Sequence, residues 1–423
     1  MIKKILQDQF LKHNFIYFTG SMILGVINYA YHPVMSRLMT VEDFGETQAI
    51  ISLSLLSGLF LGFYPSLVTN HVANNQDGEE LNDFLAGVFT LVLPISIGIF
   101  LLVILFSGAL QRFFYFSSPY PLFSLGVLYL FSVNASFRSS YLHGRKRFST
   151  VSLASITQAG SRLFFAVVLV LLGWRVFGAI TALVLAQICG LAYLYLRTRK
   201  SIKIKTVSVK HLPIVWGKLK PYLPYAGLLL IATMTITFFY SADVLFVKRF
   251  FPPAEAGLYS GIASIARVIF FLTAPIGGVL FPSIIMKNGH HENARLLIKS
   301  LLVVAVLGGA FWLIIWQASA FVIKTFIGVR YLDQALLLPL LGLLLLSVSL
   351  ANILVMYYLA LRQYFILYAC LAGAVLTIIL MLIRHQTLEQ VIYNFLFGSL
   401  ILVSGLLSRF AYHNLRRLAA KYV

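Results

Sequence analysis

Apolar residues run along this chain in blocks of roughly 20, the number a helix needs to cross the hydrocarbon of a bilayer, with short polar stretches between them. On that ruler about twelve segments can be placed, near residues 14–36, 47–69, 84–106, 121–142, 150–172, 176–196, 222–247, 257–285, 296–316, 334–360, 364–383 and 389–410. Composition agrees: with 60% hydrophobic and 11% charged residues, the chain has far too little charge to cover the surface of a soluble domain of its size. The expectation is an all-α polytopic membrane protein.

The polar stretches carry a pattern of their own. Ser36–Ala49, SRLMTVEDFGETQA, returns in degraded form as Lys248–Ile262, KRFFPPAEAGLYSGI, so that Arg37 matches Arg249, Asp43 matches Glu255 and Gly45 matches Gly257. Further on, Tyr64-Pro65-Ser66-Leu67-Val68 is echoed by Phe281-Pro282-Ser283-Ile284-Ile285. Tyr141-Leu142 with Arg145 and Phe148 is echoed by Tyr358-Leu359 with Arg362 and Phe365. The offset is 212 residues at the first match and 217 at the next two. Three matches in nearly constant register predict a duplication. Six spans per half is an even number, so both halves keep the same orientation and the repeat is parallel, about an axis along the membrane normal. The predicted organisation is an N-terminal lobe over 1–197, a basic linker over 198–221 and a C-terminal lobe over 222–423.

The formal net charge of +20 follows from where the basic residues fall. Most lie in connections on the side that holds the N-terminus, among them Lys3, Lys4, Lys12, Arg145, Lys146, Arg147, the cluster from Arg197 to Lys220, Arg409, Arg416 and Arg417. By the positive-inside tendency both termini are then cytoplasmic, where anionic lipid attracts such charge. No nucleic-acid-binding fold accompanies it, so nucleic acid is not an expected partner. One inner connection, Asn70 to Asp83, is instead acidic. Cys189 and Cys370 lie singly in predicted helices without metal-ligand spacing, and there is no phosphate-binding GxxxxGK[ST] loop. No metal or cofactor is expected. The first apolar run is too long for a cleavable signal.

Polar residues inside the apolar blocks are the candidates for function. In the first span Ser21, Gly25, Asn28 and His32 share one face, which suits cavity lining and helix packing equally; His32 is also a possible proton carrier. Asn134, Arg138 and Tyr141 share a face near the inner end of the fourth span, where Arg138 is either a binding group or an anchor snorkelling to the interface. The fifth span has Ser152, Ser155, Gln158 and Arg162. Arg162 falls at its midpoint, where an arginine costs about 2.5–3.5 kcal/mol on insertion scales and so must face protein or water. The seventh span carries Thr233, Thr237, Tyr240 and Asp243, and the eighth carries Ser260, Ser264 and Arg267, the last ~15 Å in from Gly257.

Two deep arginines face one deep acid, and Asp243 cannot neutralise both. A net-cationic cavity should hold an anion, and the planar fork of arginine matches phosphate. The expected ligand is an amphiphile with a phosphate head. Arg162, Arg267 and Arg138 are the candidate binding cations, Asn28, Asn134, Gln158, Thr237, Tyr240 and Ser264 the candidate lining, and Asp243 and His32 the candidate ion-coupling groups. No catalytic residue is assigned, since no spacing suggests a nucleophile with its base.

Four stretches carry a family resemblance: SRLMTVEDFGE, FRSSYLHGRKRFSTVSLASITQAGSRL, GAITALVLAQ and ADVLFVKRFFPPAEAGLYSGIASIARV. They resemble the polysaccharide transporter family, which includes the O-antigen flippases, within the multidrug/oligosaccharidyl-lipid/polysaccharide flippase superfamily. The resemblance implies two six-helix lobes opening alternately to either side of a bacterial cytoplasmic (inner) membrane. It also implies a substrate, a polyprenyl-pyrophosphate-linked oligosaccharide bound for lipopolysaccharide or exopolysaccharide, and charged cavity residues near Arg162, Arg267 and Asp243. A proton or sodium gradient would supply the energy, and nothing in the sequence points to an oligomer. Twelve spans rather than fourteen separate the chain from the peptidoglycan-precursor flippases. Two other classes are set against this one. A drug or cation exporter of the superfamily would carry deep acids rather than deep arginines, and a membrane glycan polymerase or ligase would need a sizeable outer loop.

Overall fold

The computed structural model describes residues 9–62, 64–75, 78–202, 217, 220, 223–284 and 289–419; most of the basic linker lies outside the described residues. Among the described residues the chain forms helices and no strand. In the first half these are α1 (Gln9–Leu38), α2 (Val41–Gly58), α3 (Tyr64–Asn74), α4 (Glu79–Leu105), the short α5 (Ser107–Phe114), α6 (Tyr120–Gly144), α7 (Phe148–Leu169) and α8 (Arg175–Thr198). The second half has α9 (Leu223–Phe250), α10 (Pro253–Ala266), α11 (Val268–Ser283), α12 (His290–Gln317), the short α13 (Ser319–Phe326), α14 (Leu337–Ala360), α15 (Phe365–Ile383) and α16 (Leu388–Ala419).

Nine of the described stretches are long and apolar enough to cross a membrane, and the pair α10–α11, bent by 42°, makes a tenth. One of the nine, Phe148–Thr198, is α7 and α8 run together; Gly173, at φ 87, turns the chain between them. With α1 added, every apolar block of the sequence has its helix. The protein is an all-α polytopic membrane protein.

The second block differs from its expected span of 47–69. Thr40, extended at ψ 162, accepts a hydrogen bond from the Asp43 N–H and starts α2 at Val41, and Glu42 and Asp43 lie in the first turn, where negative charge suits the helix dipole. The span then breaks after Gly58. A single 3-10 turn, Leu59–Leu61, follows, and α3 restarts at Tyr64 with Pro65 in its first turn, where its missing N–H costs nothing. The repeat counterpart of this span breaks as well, at Arg267. Corresponding spans of the two halves are therefore both discontinuous.

The third repeat match shifts by one residue. After α6, the backbone N–H groups of Arg145, Lys146 and Arg147 donate to the carbonyls of Tyr141, His143 and Leu142; after α14, those of Leu361, Arg362 and Gln363 donate to Tyr357, Leu359 and Tyr358. Lys146 (φ 56) and Arg362 (φ 52) occupy the left-handed position of the two turns. Lys146, not Arg145, is thus the partner of Arg362, and Tyr141 pairs with Tyr357. The next helix starts one residue later in the second copy, at Phe365 rather than Tyr364.

The chain divides into two compact units, Met1–Asp43 with Ser57–Leu223 and Phe44–Leu56 with Pro224–Val423. In the first, α8 packs along α7 and α6, α1 lies on α7, and α4 lies on α6. In the second, α14 is the central column, packed by α10, α11, α12 and α16, and 72% of its most apolar window is buried.

The α2 segment counted with the second unit is unusually polar for a buried stretch: Glu46, Thr47, Gln48 and Ser52 are all buried. Glu46 pairs with Lys248 at 3.4 Å, and the Phe44 ring meets Tyr331 edge-on at 6.3 Å. Gly45 lies against Gly257, and a Cβ on Gly45 would sit 2.5 Å from the Gly257 Cα. The two glycines that correspond in the repeat therefore touch backbone to backbone, which no larger residue permits. Sequence reasoning placed Asp243 as the only acid within a helix; Asp43 and Glu46 lie within α2 as well, both buried.

Candidate functional site

In the first unit the polar stripe of α7 is pinned from two sides. Gln158 donates to Gln187 of α8 through a short side-chain hydrogen bond, and Gly190 leaves room for the Gln158 stem. One turn further along α7, the Arg162 guanidinium lies over the Tyr31 ring of α1, 3.8 Å from its centroid. Its Nε and Nη2 are buried without a hydrogen-bond partner among the described residues, and so is the Tyr31 hydroxyl. That hydroxyl lies beside the guanidinium, within reach of a hydrogen bond from it. No ion pair among the described residues involves Arg162.

The same chain shows what that edge of an arginine binds. Arg175 turns its Nε and Nη2 onto the two carboxylate oxygens of Asp43, at 2.6 and 2.9 Å, a bidentate pair of the fork-to-fork kind. Arg162 has the same pair of donors, buried and without a hydrogen-bond partner among the described residues.

Arg267 of the second unit is differently placed. It sits at the bend between α10 and α11, 4% exposed, and its Nη2 donates to Asp243 Oδ1 at 3.1 Å. The other carboxylate oxygen accepts from the Tyr259 hydroxyl at 2.9 Å. The Tyr240 ring lies 5.3 Å from the Arg267 guanidinium carbon and packs on Phe270. Both oxygens of Asp243 are thus occupied, and its charge is matched. Of the two deep arginines, Asp243 pairs with Arg267.

Arg138 is buried and held by two side-chain hydrogen bonds. It donates from Nε to Asn134 at 2.8 Å and from Nη1 to Thr198 at 2.7 Å, and it covers the Tyr195 ring at 4.7 Å. Asn28 is exposed and His32 half-buried, the His32 ring lying 5.6 Å from that of Tyr31. In the second unit Thr237 is half-buried, and Ser264 is buried and donates back to the Gly261 carbonyl at 2.6 Å. The structure thus groups Arg162 with Tyr31 beside His32, Arg138 with Asn134, and Asp243 with Arg267 and Tyr240. Tyr31 and Tyr259 were not among the sequence candidates. Tyr31 stands three residues beyond Asn28, and that was the one signal pointing to it. Among the described residues no three His, Cys, Asp or Glu side chains gather as metal ligands would.

A chain of discontinuous membrane helices in two repeated halves, each half with a buried arginine on an apolar helix, has the build of a multi-pass transporter. A family model described as "Polysaccharide biosynthesis protein" matches residues 10–287, and the chain belongs to that family, within the multidrug/oligosaccharidyl-lipid/polysaccharide flippase superfamily. Similar solved structures include "Lipid II flippase MurJ, inward closed conformation", at 15% identity and a TM-score of 0.70 over 95% of this chain and 87% of that one. Another is the "Inward-facing conformation of a multidrug resistance MATE family transporter of the MOP superfamily", at 14% identity and 0.68 over 97% and 99%. A third is the MATE multidrug transporter DinF-BH, at 16% and 0.66 over 94% and 95%. At such identities the likeness is one of fold, two lobes built from twelve helices. No curated protein matches the sequence.

Proposed function

We propose that this protein is a flippase that moves a polyprenyl-pyrophosphate-linked oligosaccharide from the cytoplasmic to the outer leaflet by alternating access. Its product feeds the assembly of a cell-surface polysaccharide such as O-antigen or exopolysaccharide. The observation that carries the reading is Arg162. An arginine edge buried in an apolar lobe, with two N–H donors unpaired and an aromatic ring beneath, is suited to an oxyanion. A cation exporter would be repelled by it. A phosphate-linked lipid meets both demands, since its head fills the fork and its tail stays in the bilayer.

In this proposal Arg162 is the principal phosphate ligand, and Arg267 is held in reserve by Asp243. A proton or sodium ion at Asp243 would release Arg267 for the substrate, which makes Asp243 the coupling group. Asn28, Gln158, Thr237, Tyr240 and Ser264 are proposed to face the glycan, and Arg138 with Asn134 to support the phosphate end; His32 is the second candidate for carrying a proton. The proposed location is the bacterial cytoplasmic (inner) membrane, with both termini in the cytoplasm.

The test is Arg162→Lys and Arg162→Ala in cells lacking the wild-type gene, reading surface polysaccharide and the lipid-linked precursor left in the membrane. A lysine keeps the charge but loses the fork, so both variants should reach normal abundance, accumulate precursor and display little glycan. Normal surface glycan in Arg162→Ala would sink the proposal.

A further inference from the structure

We infer that the short helices α5 and α13 are a duplicated contact with the lipid of the outer leaflet, each turning a phenylalanine and a cation onto the headgroups. The two helices are copies of one element. Ser107–Phe114 and Ser319–Phe326 are both eight residues long, and they start 212 residues apart, the offset of the first repeat match. Their hydrogen bonds keep the same register. At entry the N–H groups of Phe106 and Ala318 donate to the carbonyls of Leu102 and Ile314; at exit those of Phe116 and Gly328 donate to Gln111 and Ile323. In that register Arg112 corresponds to Lys324 and Phe114 to Phe326.

The copies also turn the same face outward. Positions 109, 112 and 113 are exposed in α5, and the matching positions 321, 324 and 325 are exposed in α13. Each outward face carries one phenylalanine, Phe113 (55% exposed) or Phe321 (71%), and one base, Arg112 or Lys324. A bilayer surface suits both groups, because aromatic rings settle at headgroup level and lipid phosphate attracts the base. Placement along the chain agrees. A single residue separates each helix from a span, α4 or α12, and only 17% of the most apolar window of either span is buried, the lowest share among the described spans. Those spans face mainly lipid. The exposed apolar surface of α4 runs on through Leu105 to Phe106, and that of α12 reaches Ile314 and Trp316, so α5 and α13 begin where the hydrocarbon ends. Each follows the third span of its half, which is the outer surface in the proposed orientation. Headgroup contact thus fixes the depth of the two spans that protein packing covers least.

The test uses the full-length protein in lipid nanodiscs, with Cys189→Ser and Cys370→Ala removing the native thiols and a nitroxide attached at Ala109→Cys or Thr325→Cys, one on each outward face. Collisions of the nitroxide with oxygen, which concentrates in hydrocarbon, are compared with collisions with a water-soluble nickel chelate. Both labels should show an oxygen-to-nickel ratio above that of free nitroxide in buffer. A ratio equal to the buffer value would put the face in water, and protection from both reagents would put it against protein; either overturns the inference. Bimane at the same two positions reads the bases. Spin-labelled phosphatidylglycerol should quench it at about fivefold lower concentration than spin-labelled phosphatidylcholine, as one base at an acidic surface implies. Arg112→Gln should abolish that preference at α5 alone, and Lys324→Gln at α13 alone. Equal quenching by the two lipids with both bases present, or a preference that survives the substitutions, overturns the role given to Arg112 and Lys324.

Discussion

Asp243→Asn should be among the most destabilising conservative changes in this protein, and its partner substitution should undo most of the harm. Asp243 is 1% exposed and Arg267 4%, and they meet at 3.1 Å with the Tyr259 hydroxyl closing the second oxygen. Taking away one partner of a buried pair costs about 3–5 kcal/mol, because the remaining charge is left unpaired away from water. Asparagine changes no volume, so the loss is electrostatic. Replacing both, in Asp243→Asn with Arg267→Gln, removes the stranded charge as well, and such double replacements are often close to neutral. The assay is equilibrium unfolding of the purified protein in mixed detergent micelles, run as a double-mutant cycle. The single variant should lose about 3–5 kcal/mol and the double variant much less. A single Asp243→Asn within about 0.5 kcal/mol of wild type, the range of an unremarkable surface change, would refute the pairing and with it the claim that Arg267 is neutralised at rest.

Other consequences follow from the same geometry. Gly45→Ala should destabilise by about 1–3 kcal/mol, the usual cost of overpacking, because the new methyl meets the backbone of Gly257; a melting temperature equal to wild type would mean that the glycines do not touch. Glu46→Gln should destabilise by removing the charge opposite the buried Lys248, with Lys248→Met restoring part of the loss, read by the same unfolding experiment. Arg138→Ala should lower the folded yield more than it lowers transport per folded molecule, since its donors serve Asn134 and Thr198; the ratio of transport to detergent-stable protein distinguishes these.

The span count was legible because it depends only on the length of apolar runs, and the bilayer sets that length. The repeat was legible too, and its glycines proved to be contact points as well as markers. Breaks within spans were harder to place. Pro65 reads as a kink, yet the chain stops at Gly58 and restarts at Tyr64, while the bend at Arg267 has no proline or glycine of its own to announce it. Charge pairs were hardest. Glu46 and Lys248 lie 202 residues apart, and Asp43 and Arg175 lie 132 apart, so no spacing along one helix connects them. The same holds for Tyr31 and Arg162. Helical periodicity shows which residues share a face, but only packing shows what that face meets. Sequence alone counted two deep arginines against one acid; the structure showed which arginine the acid takes.

The central claim is that an unpaired arginine fork receives the phosphate of a lipid-linked glycan. The most direct measurement is leaflet sidedness of a fluorescent polyprenyl-pyrophosphate oligosaccharide in liposomes containing the purified protein, under an imposed proton or sodium gradient, beside a phosphate-free lipid-linked glycan. The account predicts translocation of the pyrophosphate lipid by wild type, none of the phosphate-free lipid, and none of either by Arg162→Ala. Equal translocation of both lipids, or uptake of small organic cations in place of either, would contradict it.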